Sequence, residues 1–184
     1  SGARVARLSR LPPVNGPTAG LDAGACYVIS GGLGGVGLAL AGMLVDLGAK
    51  HLLLLSRTGL DQGPRQAAVA ALEARGVVVR VETLDVADLA ALCTVFAAAP
   101  RPIRGLIHAA GVAGKARLAG ATEEQLAAPL RAKLYGARAL RTALEGQPLD
   151  FALLLSSVAA LWGSTDLGAY GAANAALLGL ARQW

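Results

Sequence analysis

Ser30-Gly31-Gly32-Leu33-Gly34-Gly35-Val36-Gly37 is the stretch on which the reading of this chain turns. Directly before it stands the apolar run Cys26-Tyr27-Val28-Ile29, and directly after it Leu38-Ala39-Leu40-Ala41, so the glycines occupy a strand-to-helix turn. Gly32, Gly34 and Gly37 have Gly-x-Gly-x-x-Gly spacing. In such a turn the first glycine permits the tight curve, the second lets a pyrophosphate approach the backbone, and the third allows helix and strand to pack closely. An anionic phosphate would then sit at the helix N-terminus, with Ser30 and Leu33 flanking it.

Outward from this turn, short apolar runs alternate with Ala/Leu-rich stretches at helical spacing, which predicts parallel strands joined by crossover helices. Strands are expected at residues 26–30, 51–56, 77–84, 103–108 and 151–156, and helices at 35–47, 64–75, 88–98, 122–144 and 169–183. His51-Leu52-Leu53-Leu54-Leu55 is continuously apolar, as a strand covered on both faces would be. Thr122-Glu123-Glu124-Gln125 reads as a helix cap with acids in the first turn, Pro129 as an interruption or kink, and Gly48 and Gly76 as helix C-caps. The fold class is therefore α/β: a Rossmann-like, doubly wound parallel sheet with helices on both faces. Residues 1–24, with Pro12-Pro13 and Asn15-Gly16-Pro17, show no periodicity and are expected to tether residues 25–184 to something upstream.

Composition narrows the function classes. The 184 residues are 54% hydrophobic and 16% charged, a balance that favours a packed core over disorder. Gly, Arg and Asp interrupt the apolar residues too often for a membrane span. Cys26 and Cys93 are far apart, so no metal site or disulfide framework is indicated and a reducing, cytoplasmic setting is expected. The net charge of +5 comes mostly from scattered arginines in a chain that is only 4% aromatic. That pattern argues against nucleic acid and for an anionic cofactor.

Arginine has a specific place in that expectation. Ser56-Arg57 ends the second strand twenty residues beyond Gly37, where an acid would bind the ribose 2′-hydroxyl of NAD and an arginine instead suits a 2′-phosphate. NADPH is therefore the expected cofactor. Asp85-Val86, after the third strand, are expected at the adenine edge, and Ala109-Ala110-Gly111 where the backbone must pass close to the cofactor. His108 is read as a packed strand-end residue.

A second cluster lies in the last third. Ser156-Ser157 ends a strand, and Tyr170 and Asn174 share a helix face at i and i+4, where both could reach one cleft; Lys133 on the preceding helix supplies a cation. Each has a plain alternative: a turn hydroxyl, half-buried packing, a cap, a solvated face.

These segments together resemble the ketoreductase domains of modular polyketide synthases, within the short-chain dehydrogenase/reductase superfamily. The resemblance runs from Ala25 to the C-terminus. It rests on the glycine turn, with Ser30 where the family has Thr, and on Leu55-Ser56-Arg57-Thr58-Gly59, His108-Ala-Ala-Gly-Val112, Lys133-Leu-Tyr-Gly-Ala137, Leu155-Ser-Ser157 and Tyr170-Gly-Ala-Ala-Asn174. Short-chain enzymes commonly carry Lys four residues after Tyr and Asn on the earlier helix. Here the two are exchanged, as in the polyketide ketoreductases.

The resemblance implies a mechanism that the residue chemistry independently supports. A tyrosine hydroxyl ionises near pH ~10 in water, and a neighbouring ammonium favours its phenolate. Tyr170 would protonate a β-keto oxygen as hydride arrives from NADPH, Ser157 would hydrogen-bond that oxygen, and Lys133 and Asn174 would hold the ribose and the proton relay. Trp162, eight residues before Tyr170, is placed as in A-type members, and Ala113-Gly114-Lys115 stands where B-type members carry Leu-Asp-Asp, which implies an L-hydroxy product. Leu167 matches neither the Gln nor the His that separates the A subtypes. Implied partners are an acyl carrier protein bearing a phosphopantetheine thioester and neighbouring synthase domains. Because family members continue past the tyrosine-bearing helix with further strands and a substrate lid, the resemblance also implies a chain truncated there. A dinucleotide-binding scaffold or inactive fragment of the same fold remains the alternative.

Overall fold

The computed structural model describes residues 10, 12, 20–60 and 63–184, so most of the expected tether lies outside the described residues. At Leu21 the chain already belongs to the folded unit, its amide donating to the Leu47 carbonyl at 2.8 Å and its side chain packing on the core. Five strands follow: β1 (Cys26–Ser30), β2 (His51–Ser56), β3 (Val78–Thr83), β4 (Ile103–His108) and β5 (Phe151–Leu154). They form one parallel sheet in the order β3-β2-β1-β4-β5. This is the doubly wound topology expected, and its switch point falls between β1 and β4.

Alternate leucines of β2 explain why that strand reads as one apolar run. Leu52 and Leu54 enter a core with Leu33, Ala41 and Leu44 of the first turn and helix, whereas Leu53 and Leu55 enter a second core with Leu92 and Leu140. All four leucines are at most 1% exposed, and burying each contributes roughly 1.5–3 kcal/mol. Helices α1 (Gly35–Asp46) and α2 (Pro64–Glu73) cover the first face; α3 (Leu89–Ala97) and α5 (Gly136–Ala143) cover the second. Helix α4 (Glu123–Leu130) precedes α5, while α6 (Ala159–Trp162) and α7 (Gly168–Ala181) follow β5. Gly48 and Gly76 have φ of 107° and 75°, which fits their expected C-cap positions.

Three local features differ from the sequence expectation. The single helix expected over 122–144 is α4, a π-turn (Arg131–Tyr135) and α5. Thr122 starts it with the expected capping box: its hydroxyl accepts from the Gln125 amide at 3.3 Å, and its own amide donates to the Gln125 side chain at 2.9 Å. Pro129 stays inside α4, and the irregularity comes two residues later. Strand β5 ends at Leu154 rather than 156: the Leu155 amide still donates to the carbonyl of His108, the last residue of β4, but the Leu155 carbonyl accepts from Lys133 Nζ instead of continuing the ladder. Short elements, α6 and a 3-10 turn at Leu118–Gly120, went unanticipated, since three or four residues are too few to show a period.

Candidate functional site

The glycine turn is built by exclusion of side chains. Gly31 has φ of +69°, and a Cβ there would lie 2.7 Å from the Ala110 amide nitrogen, so the turn after β1 presses on the loop after β4. At Gly37 a Cβ would collide with the Gly31 carbonyl and lie 2.8 Å from the Gly32 Cα. Gly32 is similarly closed in by Leu54, with its amide donating to the Leu55 carbonyl at 3.1 Å. The backbone of Gly34 N-caps α1 without any side-chain cap. Amides at that end are thus left for a ligand.

This turn forms one wall of a cleft of about 560 Å³ at the C-terminal ends of β1, β2 and β4, within the range of small-molecule sites. Of the residues expected to bind cofactor, Leu33, Gly34, Ser56, Arg57, Asp85, Val86, Ala109, Ala110 and Gly111 line it. Gly32, Gly37 and Ser30 lie behind the wall and shape it, Ser30 being fully buried. The sequence reading missed Thr58, Arg65 and Arg131, which also line the cleft. Arg65 donates to the Thr58 hydroxyl at 3.1 Å, and Arg131 Nε to Asp85 Oδ2 at 2.7 Å. Neither arginine belongs to a recognised local pattern; only the approach of α2 and the π-turn to the strand ends brings them in. Burial opposes ionisation of Asp85, but the Ala87 amide and the Arg131 guanidinium hold its carboxyl below the usual range. A larger groove of about 900 Å³ along α5 and α7 contains none of the expected residues.

The second cluster stands apart from the cleft wall and is tied together by hydrogen bonds. Lys133, in the π-turn, is 4% exposed, and its Nζ donates to the Leu155 carbonyl at 2.5 Å. Burial lowers its pKa. The Ser156 hydroxyl donates to the Asn174 carbonyl at 3.2 Å, and Asn174 Nδ2 donates to the Tyr170 carbonyl at 2.8 Å. Lys133, the Leu155-Ser156-Ser157 segment, Asn174 and Tyr170 are therefore one connected unit. Ser157 Oγ accepts from the Ala159 amide at 3.2 Å at the start of α6. Tyr170 is half-buried, and among the described residues its hydroxyl has no hydrogen-bond partner. Trp162, at the end of α6, is 60% exposed.

Asn174 departs from expectation. Its side chain is fully buried and turned back to its own helix, and neither it nor Tyr170 lines the cleft. The local bond to a carbonyl one turn earlier captures the amide. Gly111 joins the two regions: it lines the cleft, and a Cβ there would lie 2.9 Å from Lys133 Cε.

A nicotinamide dinucleotide fits the residues present. The glycine cradle, which a Cβ would fill, offers backbone to phosphate, and Arg57, Arg65 and Arg131 place cations around the same cleft. Among the described residues Asn174 Oδ1 is buried without a hydrogen-bond partner, an acceptor that an internal water could satisfy.

Comparison with known proteins converges on one family. A profile of the KR domain matches residues 25–184. The phthioceranic/hydroxyphthioceranic acid synthase of Mycobacterium tuberculosis strain ATCC 25618 / H37Rv is 43% identical over 151 residues, 80% of this chain and 7% of that protein. The pikromycin polyketide synthase component PikAIII of Streptomyces venezuelae is 39% identical over 186 residues, covering 98% of this chain and 12% of its own length. The chain thus spans a small part of the synthases it matches. A solved structure of A-type ketoreductases from a modular polyketide synthase superposes with a TM-score of 0.82 at 39% identity, covering 90% of this chain and 36% of that one. An A1-type ketoreductase gives 0.82 and 40%, with the same coverage.

Proposed function

This chain belongs to the KR domain family, the ketoreductases of polyketide synthases, and on that premise we propose that it takes part in NADPH-dependent reduction of a β-ketoacyl thioester to a β-hydroxyacyl thioester. The observation that carries the proposal is the hydrogen-bonded unit of Lys133, Leu155-Ser156-Ser157, Asn174 and Tyr170, joined through Gly111 to the glycine-lined cleft. Leu33, Gly34 and the backbone at 109–111 would hold the dinucleotide's phosphates and nicotinamide half, Arg57 the 2′-phosphate, and Asp85 with Val86 the adenine. When bound, NADPH supplies a hydride to the β-carbon.

The chain's own residues manage the charge that develops on oxygen. As the C=O π bond breaks, the Tyr170 O–H bond breaks with it, and the proton forms the product hydroxyl. Ser157 donates a hydrogen bond to the same oxygen. Donors aimed at a developing alkoxide stabilise the transition state more than the ketone. Lys133 Nζ, anchored on the Leu155 carbonyl, would hold the ribose and supply positive charge to the proton path, while Asn174, its amide engaged on the Tyr170 carbonyl, would brace the helix turn that carries Tyr170.

Trp162 on α6 would guide the acyl chain toward an L-hydroxy outcome, a reading supported by likeness to A-type ketoreductases. The substrate would arrive on the phosphopantetheine arm of an acyl carrier protein beside other synthase domains, in the cytoplasm. The arginine excess suits an acidic carrier. The decisive test is Tyr170→Phe in the full-length protein, following NADPH oxidation with a model β-ketothioester. Loss of about 10²–10⁴-fold in kcat with NADPH binding retained is expected; an undiminished rate would overturn the proposal. Chiral analysis giving the D-alcohol would overturn the stereochemical part alone.

A further inference from the structure

His108 ends β4 beside the sheet's switch point, fully buried, and no step above uses it. Its Nδ1 lies 2.6 Å from the Ser30 hydroxyl at the end of β1, the two residues being register partners. Its Nε2 lies 3.0 Å from the carbonyl of Lys133. We propose that His108 is a positioning residue for Lys133: it clamps the π-turn by its backbone and so aims the lysine side chain at the Leu155 carbonyl beside Ser157. The inference rests on the role given to Lys133 above.

Hydrogen-bond chemistry leaves the ring one arrangement. A neutral imidazole has one N–H and one lone pair. The Lys133 carbonyl can only accept, so Nε2 carries the hydrogen. Nδ1 is then the acceptor, and the Ser30 hydroxyl donates to it. Burial favours the neutral ring, and the nearby Lys133 charge adds to that effect.

The π-turn is where such a clamp matters. A π-turn carries one residue more than an α-turn, a surplus of about 100° of rotation. Distortion is visible in the Gly136 amide, which reaches both the Arg131 and Lys133 carbonyls. Packing closes around the clamp: a Cβ on Gly136 would lie 3.3 Å from His108 Cε1 and 2.5 Å from Val86 Cγ1. Lys133 is thus fixed at its backbone by His108 and at its Nζ by Leu155. Release of the backbone end would let the turn relax and swing the ammonium away from its partner.

The experiment compares His108→Gln with His108→Asn in the full-length protein. A glutamine amide can reach the Lys133 carbonyl from the position of Nε2, whereas asparagine is shorter and overlays only Nδ1. Expected are a kcat within about threefold of the parent for Gln and a loss above about tenfold for Asn, the scale set by ångström-level misplacement of a reacting group. On a Lys133→Met background, His108→Asn should cost less than about twofold, because the residue it positions is gone. Equal losses for Gln and Asn, or full additivity with Lys133→Met, would overturn the inference. If Lys133→Met itself kept the parent rate, the mechanistic role of Lys133 would fall instead. Independently of any variant, ¹⁵N-histidine NMR of this chain, which has only two histidines, should show the His108 proton on Nε2. A proton on Nδ1 would refute the clamp directly.

Discussion

Acidification should destabilise this fold through His108 before its carboxylates are titrated. Burial pushes the His108 imidazole from 6.5 down to about 4. Above about pH 6.5 the ring is neutral in both folded and unfolded chains and stability is unaffected. Between 6.5 and 4 the unfolded chain takes up a proton that the folded chain refuses, so stability falls with pH. Below about 4 the folded ring also protonates and the loss levels off. Linkage gives about 2 kcal/mol lost at pH 5 relative to pH 7, and about 3.4 kcal/mol at the limit. Urea unfolding of the parent and of His108→Gln at both pH values isolates this contribution, because every other titrating group is common to the two. With an m-value of about 2 kcal/mol/M for a domain of this size, the parent midpoint should drop by about 1 M more than that of the variant. Equal drops would show that the ring is already protonated or solvated in the folded state, and the reasoning would fail.

The remaining predictions concern the cradle, cofactor choice and the helix leading into the π-turn. Gly37→Ala places a Cβ about 0.6 Å inside ordinary contact with the Gly32 backbone, so NADPH affinity measured by fluorescence titration should fall more than about tenfold; unchanged affinity would refute the cradle. Arg57→Gln should raise KM for NADPH about 10–100-fold while leaving KM for NADH within about twofold, as expected for a lost charge-assisted phosphate contact. Thr122→Ala breaks the capping box of α4 and should lower stability by about 1 kcal/mol in urea, with the loss absent in Thr122→Ser.

The sequence determined those features that are set by neighbouring residues. Alternation of apolar runs with helical periods fixed the five parallel strands, because a strand buried on both faces must be apolar throughout, as Leu52 to Leu55 are. Glycine spacing located the turn at 31–37 for an equally local reason: a missing Cβ is visible in the sequence as much as in space. Cap chemistry at Thr122, Gly48 and Gly76 was legible on the same grounds. Tertiary structure decided what depends on meetings between distant segments. Strand register put His108 against Ser30, seventy-eight residues earlier, and turned an unremarkable strand end into a clamp. A π-turn, which has no period of its own, set the direction of Lys133. Arg65 and Arg131 reached the cleft only because α2 and the π-turn converge on the strand ends. Asn174 had the right spacing from Tyr170 to share its face, yet a local bond to the Tyr170 carbonyl buried it. Sequence spacing fixes which face a side chain leaves from; which partner captures it is settled only when hydrogen bonds compete in the folded chain.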